Sequence, residues 1–184
     1  MRAFMAVEVD KGLVDEIIEI QKMLAEANAL VKFVEHENLH FTFKFLGDIT
    51  PEKAEAISEM AEEKAKNYSP FNINIKGTGV FPNLGYIRVI WLGVENPEPF
   101  SKMQEDFDKE FVKMGFNKER SYIPHLTVGR VKGVQNKELL VSIVKELEDM
   151  EVGTMNVDKL IIKESDLTPV GPIYTNLKVI NLQK

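Results

Sequence analysis

The chain has 184 residues, with 23 Lys and Arg against 29 Asp and Glu, so its formal charge is −6. A chain of this length forms one domain that buries roughly 70% of the surface its unfolded form exposes. It contains no Cys, which excludes a disulfide scaffold, a thiol nucleophile and cysteine-bound zinc or iron–sulfur clusters.

The pattern of apolar residues predicts alternating strands and helices along the whole chain. The first predicted elements are a strand at Arg2–Val9, a helix at Leu13–Leu30, a strand at Leu39–Leu46, a helix at Glu52–Lys66 and a strand at Phe71–Lys76. They are followed by a turn at Phe81–Gly85, a strand at Tyr86–Val94, a helix at Pro97–Met114, a strand at Tyr122–Val131, a helix at Lys137–Met150 and strands at Met155–Ile162 and Ile173–Leu182. Because no apolar run approaches the ~20 residues of a membrane span, we expect a cytoplasmic protein without membrane contact.

The order of these elements repeats, which predicts an internal duplication. Strand, helix, strand, helix, strand occurs in residues 2–76 and again in residues 86–162. The tetrapeptide HFTF that starts at His40 lies 85 residues (125 − 40) before HLTV, which starts at His125. We therefore expect a single bilobed α+β domain with pseudo-repeats at about 1–80 and 81–184. Each lobe would be an antiparallel sheet backed by helices, with a cleft between the lobes.

The two tetrapeptides, each of the form His-x-Thr-x, are the main candidates for chemistry. Residues i and i+2 of a strand share one face, so His40 lies beside Thr42, and His125 beside Thr127. The pseudo-symmetry would bring both pairs to the cleft from opposite sides. Imidazole titrates near neutral pH, so one ring can act as general base and the other as general acid in an in-line displacement at phosphorus. The hydroxyls would bond the phosphate oxygens, and Arg130 would add positive charge.

Two other functions remain as alternatives. The segment from His36 to His40 reads HENLH, which matches the H-E-x-x-H pattern of zinc hydrolases. That pattern needs a helix to bring both rings to one metal ion, whereas the aromatic and β-branched residues after His40 predict a strand. We therefore expect no metal and no cofactor. The second alternative is a non-catalytic module of the same fold that binds nucleotides or RNA; such a module would more often have lost one of the histidines.

Three further side chains are candidates for contacts with substrate. Lys44 is in phase with His40 in its strand, so it would either contact phosphate or lie as a solvated lysine at the sheet edge. Arg88 would either line the cleft or cap a sheet edge. Tyr122 would either stack on a base or be buried as an ordinary core tyrosine.

Four stretches carry a family resemblance: ENLHFTFKFLGD (37–48), FPNLGYIRVIWLGV (81–94), YIPHLTVGRV (122–131) and ESDLTPVGPIY (164–174). They resemble the 2H phosphoesterase superfamily, and within it the RNA 2′,3′-cyclic phosphodiesterases, also called LigT-like 2′-5′ RNA ligases. The resemblance covers essentially the whole chain. It implies a bilobed α+β fold and metal-free hydrolysis of a terminal RNA 2′,3′-cyclic phosphate to a 2′-phosphate, with reversible 2′-5′ ligation as a second activity.

The resemblance also implies roles for individual residues. The proton donor of the family falls on His40 and its water-activating base on His125, with the two motif threonines on Thr42 and Thr127. The arginine of H-x-T-x-x-R falls on Arg130. The implied partners are RNA 3′ ends or nucleotides that carry a 2′,3′-cyclic phosphate, tRNA fragments among them, and the implied oligomeric state is a monomer.

Phe45 is a further candidate because family members can place an aromatic residue at this position against the nucleobase of the substrate. It lies five residues after His40, as Arg130 lies five residues after His125. Strict alternation along a strand would turn both of these residues away from the cleft. Their proposed roles therefore require a bulge or a strand end in each motif.

Overall fold

The computed structural model describes residues 1–184 and contains four α-helices and nine β-strands. The helices are α1 (Val14–Ala25), α2 (Pro51–Ala65), α3 (Glu98–Lys113) and α4 (Lys137–Glu146). The strands are β1 (Arg2–Glu8), β2 (Leu30–Phe33), β3 (His40–Asp48), β4 (Phe71–Asn83), β5 (Tyr86–Val94), β6 (Leu126–Gly133), β7 (Glu151–Val157), β8 (Lys159–Thr168) and β9 (Gly171–Asn181).

Every predicted helix and strand is present, but the structure contains two strands more than predicted. The first predicted helix ends early because Asn28 takes a positive φ of 53°, which asparagine tolerates better than most residues. The chain then turns into β2. The strand predicted at 155–162 is in fact two strands, β7 and β8, which are separated at Asp158. These differences leave the order of the other elements unchanged.

The strands form one antiparallel sheet that divides into two lobes at its centre. The strand order is β7-β4-β5-β6-β3-β1-β8-β9, and β2 pairs with the outer part of β6. Strands β3 and β6 meet through a single register pair, Phe41 with Leu126. One lobe therefore contains β3, β1, β8 and β9, and the other contains β6, β2, β5, β4 and β7. This is the two-lobed α+β fold that the sequence predicts.

The helices connect the two lobes because each half of the chain sends its first helix to the opposite lobe. Helix α1 follows β1 but packs against β6 and α4, whereas α3 follows β5 but packs with α2. The apolar residues of α3 recur at helical spacing, and Phe100 and Phe107 lie 5.8 Å and 5.4 Å from Phe43 of β3 between ring centroids. A continuous core of 38 buried side chains results. None of the helices has the length and apolar character needed to cross a membrane.

Candidate active site

A cleft of about 700 Å³ lies between the lobes, where β3 and β6 separate. Its walls include both His-x-Thr pairs, with His40 and Thr42 on β3 and Thr127 on β6. His125 lines the cleft from the residue immediately before β6, and Arg130 lines it from further along the same strand. The structure thus brings these five predicted residues together at one cavity.

The two imidazoles are held in the same way. Nδ1 of His40 lies 2.6 Å from the carbonyl oxygen of Asn38, and Nδ1 of His125 lies 3.3 Å from that of Ile123. A carbonyl oxygen can only accept, so each Nδ1 carries the proton and donates it to the carbonyl two residues earlier. The Nε2 atoms are left for chemistry, and that of His40 lies 3.0 Å from the Thr42 hydroxyl oxygen.

Aromatic side chains restrict both histidine rings. The ring of His40 lies 5.0 Å from Phe4 and 5.5 Å from Tyr174, which meets it edge-on. The ring of His125 lies 5.2 Å from Phe81, also edge-on, and 6.1 Å from Trp91. These contacts cover part of each ring with apolar surface. They therefore limit both the rotation of the rings and the access of water.

The pKa of His40 is lower than that of an ordinary histidine, and burial is the main cause. Burial disfavours the imidazolium ion and lowers the pKa of His40, although its hydrogen bond to the Asn38 carbonyl acts in the opposite direction. Lys163 and Arg130 lower the pKa further through their positive charges, while Glu8 raises it. Together these effects favour a neutral His40, and an anion bound beside the ring would favour its protonation.

A β-bulge in each motif strand turns the i+5 residues into the cleft. Phe43 has no partner on β1 and Val128 has none on β5, because the register shifts by one residue at each of these positions. A bulge reverses the alternation of side chains beyond it. Phe45 is consequently 67% exposed and lines the cleft together with Arg130. Both bulges that the sequence pattern requires are therefore present.

Comparison with known proteins places this site in a family. The family model of the LigT like phosphoesterases matches the chain twice, over residues 7–91 and 92–174. An RNA 2′,3′-cyclic phosphodiesterase of Methanothermobacter thermautotrophicus is 54% identical over 182 residues, which cover 99% of each chain. The chain belongs to the LigT-like phosphoesterase family. The two successive matches also confirm the predicted duplication.

Further relatives extend this agreement to sequence and fold. An RNA 2′,3′-cyclic phosphodiesterase of Methanocaldococcus jannaschii is 37% identical to this LigT-like phosphoesterase, over 97% of this chain and 99% of the relative. The crystal structure of Escherichia coli LigT in its apo form superimposes with a TM-score of 0.78 at 23% identity, and covers 100% of this chain and 98% of the other. The family is one of enzymes, and the E. coli structure confirms the fold.

The local structure of this LigT-like phosphoesterase does not suit the H-E-x-x-H alternative. His36 lies in a short 3₁₀ turn, and His40 begins β3. The two rings therefore do not share one face of an α-helix, which the zinc motif requires. His36 is also exposed at the surface. No cluster of three His, Cys, Asp or Glu side chains suitable for a metal ion occurs in the chain.

The predicted phosphate contact of Lys44 is wrong. The bulge at Phe43 turns Lys44 under α3, where only 3% of the residue is exposed. Its Nζ donates to Asp108 Oδ1 and to the Asn117 carbonyl oxygen, both at 2.6 Å, and lies 3.2 Å from Glu119 Oε1. The alternative of a solvated edge lysine is wrong as well, since the side chain forms a buried ion pair.

Arg88 and Tyr122 also lie outside the cleft. Arg88 is exposed on the hairpin beyond the last pair between β5 and β6, where its guanidinium lies 6.0 Å from the Tyr86 ring. The Tyr122 hydroxyl donates to Asp108 Oδ2 at 2.9 Å, and burial together with this bond raises the pKa of Tyr122 to about 12. Neither side chain therefore lines the cleft.

The cleft residues that sequence reasoning missed include Arg2, Lys32, Lys132 and Tyr174. Lys132 follows Arg130 by two residues on β6, so strand periodicity could have identified it. The other three reach the site through tertiary contacts that a local pattern does not reveal. Tyr174 is carried there by the hairpin of β8 and β9, whose tip is held across the cleft by a bond of 3.1 Å from Asn38 Nδ2 to the Pro172 carbonyl oxygen.

Proposed function

We propose that this enzyme hydrolyses the 2′,3′-cyclic phosphate at RNA 3′ ends, or on nucleotides, to a 2′-phosphate. The observation that carries the proposal is the pair of imidazoles on one cleft, each anchored through Nδ1 to a backbone carbonyl. Four positively charged side chains that line the same cleft, Arg2, Lys32, Arg130 and Lys132, suit an anionic substrate. The relatives from Methanothermobacter and Methanocaldococcus, both RNA 2′,3′-cyclic phosphodiesterases, support the same substrate class. Fragments of tRNA fit this class, and the proposed active form is a monomer.

In the proposed reaction His125 and His40 act in turn on opposite sides of the phosphorus atom. Nε2 of His125 takes a proton from water as the water oxygen bonds to phosphorus. The bond from phosphorus to O3′ breaks, and Nε2 of His40 gives its proton to O3′. The products are a 2′-phosphate and a free 3′-hydroxyl. A ribose 5′-hydroxyl in place of water would form a 2′-5′ linkage by the same proton transfers.

The neighbouring side chains would stabilise the charge that accumulates on phosphorus. Arg130 carries a fixed charge that interacts more strongly with the phosphorane than with the cyclic phosphate. The hydroxyls of Thr42 and Thr127 would donate to the non-bridging oxygens. Phe45 exposes an aromatic ring at the cleft, which suits stacking with the terminal base.

Incubation with a nucleoside 2′,3′-cyclic phosphate tests the proposed function directly. We expect ³¹P NMR of the product mixture to show the 2′-phosphate alone, because His40 would protonate only O3′. A 3′-phosphate product would contradict the assignment of the leaving oxygen. Absence of turnover on both nucleosides and short oligoribonucleotides would contradict the proposed activity as a whole.

We expect activity to survive removal of divalent metal ions. Both proposed proton-transfer groups are imidazoles, and Nδ1 of each is occupied by a backbone carbonyl. Rates measured after dialysis against EDTA should therefore equal those of untreated enzyme, and His36→Ala should leave kcat unchanged because His36 is exposed at the surface. Loss of activity in EDTA that zinc restores would instead support the H-E-x-x-H alternative.

We expect the pH dependence to shift when substrate binds. The general acid must be protonated, and burial lowers the pKa of His40 below its ordinary value of 6.5, so a smaller fraction of the free enzyme carries the protonated acid at neutral pH. Bound phosphate favours the imidazolium, so the basic limb of kcat should lie at higher pH. Both limbs report the coupled pair of histidines. Coincident basic limbs of kcat and kcat/KM would contradict this account.

A further inference from the structure

The two bulges share a second feature, a buried glutamine that reaches each of them from a helix. Nε2 of Gln104, on α3, donates to the carbonyl oxygen of Phe43 at 2.8 Å. Nε2 of Gln21, on α1, donates to the carbonyl oxygen of Val128 at 3.1 Å. Phe43 lacks a partner on β1, and Val128 lacks one on β5. The same type of side chain thus meets the same atom of both bulges.

The chemistry of a bulge explains why a donor is needed at these two positions. The extra residue of a bulge loses its place in the ladder of backbone hydrogen bonds, and a buried carbonyl without a partner is costly. Gln21 and Gln104 are both buried, so water does not compete for these bonds. Oε1 of Gln104 is itself buried without a partner, and packing alone would favour an apolar side chain there. The amide is therefore explained by the bond that it donates.

We propose that Gln21 and Gln104 are positioning residues that hold the two bulges and thereby aim the catalytic groups. Each bulge decides whether the i+5 residue, Phe45 or Arg130, faces the cleft, and it fixes the motif threonine and histidine just before it. The inference rests on the proposed function for the roles of these groups. It goes beyond that function because neither glutamine lines the cleft.

The positioning is crossed between the halves of the chain. Gln104 belongs to the second half but acts on the strand of His40, while Gln21 belongs to the first half but acts on the strand of His125. The effects should differ in size, because the Val128 carbonyl also accepts from the Val34 amide at 3.0 Å. Loss of Gln21 also removes its bond of 3.1 Å to the Val34 carbonyl oxygen, but it leaves the Val128 carbonyl with one donor, so Gln21→Met should disturb its bulge less than Gln104→Met disturbs the other.

Kinetics with two substrates separate this role from a general loss of structure. We expect Gln104→Met to lower kcat/KM for a nucleoside 2′,3′-cyclic phosphate by about 10²-fold, since misplacement by about 1 Å has effects of this size. An ester with an activated leaving group should restore much of that loss, because Gln104 acts on the side of the proton donor. The same ester should not restore the smaller loss of kcat/KM in Gln21→Met, because Gln21 acts on the strand of His125, the proposed general base.

NMR of the histidine side chains supplies a readout that does not depend on activity. The chain has only three histidines, so each ring gives a resolvable signal. Gln104→Met should shift the His40 signals and their titration, Gln21→Met should shift those of His125, and neither should move the exposed His36. Met103→Ala, a truncation of the buried neighbour of Gln104 on α3, should lower stability without the selective shift of His40.

The outcomes distinguish the positioning role from the proposed function. If each glutamine variant shifts only the NMR signals of its own histidine, but the wild type turns over no cyclic phosphate, the proposed function is refuted and the positioning role is retained. Equal shifts of both rings in each variant, or none in either, would overturn the positioning role. If Gln104→Met does not fold, Gln21→Met carries the same test, because its strand keeps the bond from Val34.

Discussion

Replacement of His125 or of His40 by Ala should lower kcat/KM for a nucleoside 2′,3′-cyclic phosphate by about 10²–10⁴-fold, the usual contribution of a positioned general acid or base. The reason is the same for both rings, since each Nδ1 is anchored and each Nε2 is left for proton transfer. The measurement is steady-state hydrolysis followed by ³¹P NMR or by separation of the products. His36→Ala, which removes the exposed third histidine, provides the matched control.

An activated substrate distinguishes the two histidines. A phosphodiester whose leaving group is far more acidic than a ribose hydroxyl can depart without a proton, so it needs a base but no acid. His40→Ala should therefore recover most of its activity on such an ester, while His125→Ala should remain impaired. Rescue of His125→Ala alone would reverse the two roles. The pseudo-symmetry makes this a stringent test, because the motifs differ locally mainly in Phe45 on one side and Arg130 on the other.

The threonines should contribute less than the histidines to the same reaction. Thr42→Val and Thr127→Val would each remove one hydrogen bond to a phosphate oxygen in the proposed complex, and a bond to a charged acceptor contributes about 1.5–3 kcal/mol. The Thr42 hydroxyl has an additional contact with Nε2 of His40. Thr42→Val should therefore also alter the pH dependence, whereas Thr127→Val should not.

Local sequence was sufficient to predict the main part of the site because its residues lie on short regular segments. A period of two in HFTF and HLTV places each histidine with its threonine, and the shared offset of 85 residues (125 − 40) relates the two strands. No further information is needed to bring His40 and His125 to one cleft. Tyr174 and Arg2, by contrast, depend on how β8, β9 and β1 assemble, which no local pattern describes.

The failure at Lys44 has a specific physical cause. The assignment assumed unbroken alternation after Thr42, although the role of Phe45 required a break in the same strand. The two requirements are incompatible, because a bulge that turns Phe45 into the cleft turns Lys44 away from it. A bulge at Phe43 predicts that Lys44 is buried and therefore needs an acidic partner. The structure shows that this partner is Asp108.

Lys44→Met should destabilise the fold by about 3–5 kcal/mol, the typical cost of removing one partner from a buried ion pair. Asp108 is 2% exposed and would retain its charge without the cation that compensates it. The free energy of unfolding from denaturant titration provides the measurement. Lys66→Met removes an exposed partner of Glu63 and should cost much less, because exposed ion pairs contribute little to stability. The fraction of Lys44→Met that folds should keep the KM of the wild type.

The pH dependence of the free energy of unfolding tests whether the charge of Asp108 causes the loss of stability in Lys44→Met. Burial would raise the pKa of Asp108, but hydrogen bonds from Lys44, the Glu119 amide and Tyr122 outweigh it and hold the pKa below its ordinary value. In the wild type this carboxylate stabilises the fold above its unfolded pKa, and the contribution is lost as pH falls through the lowered folded pKa. In Lys44→Met the carboxylate would lose its cation, so its pKa would rise relative to the wild type and protonation by acid would relieve the variant. The stability difference between the two proteins should therefore narrow as pH falls, and Lys44→Met/Asp108→Leu should recover most of the loss at neutral pH. If the difference in stability between the wild type and Lys44→Met stayed constant with pH, the loss would come from packing and not from the unpaired charge of Asp108.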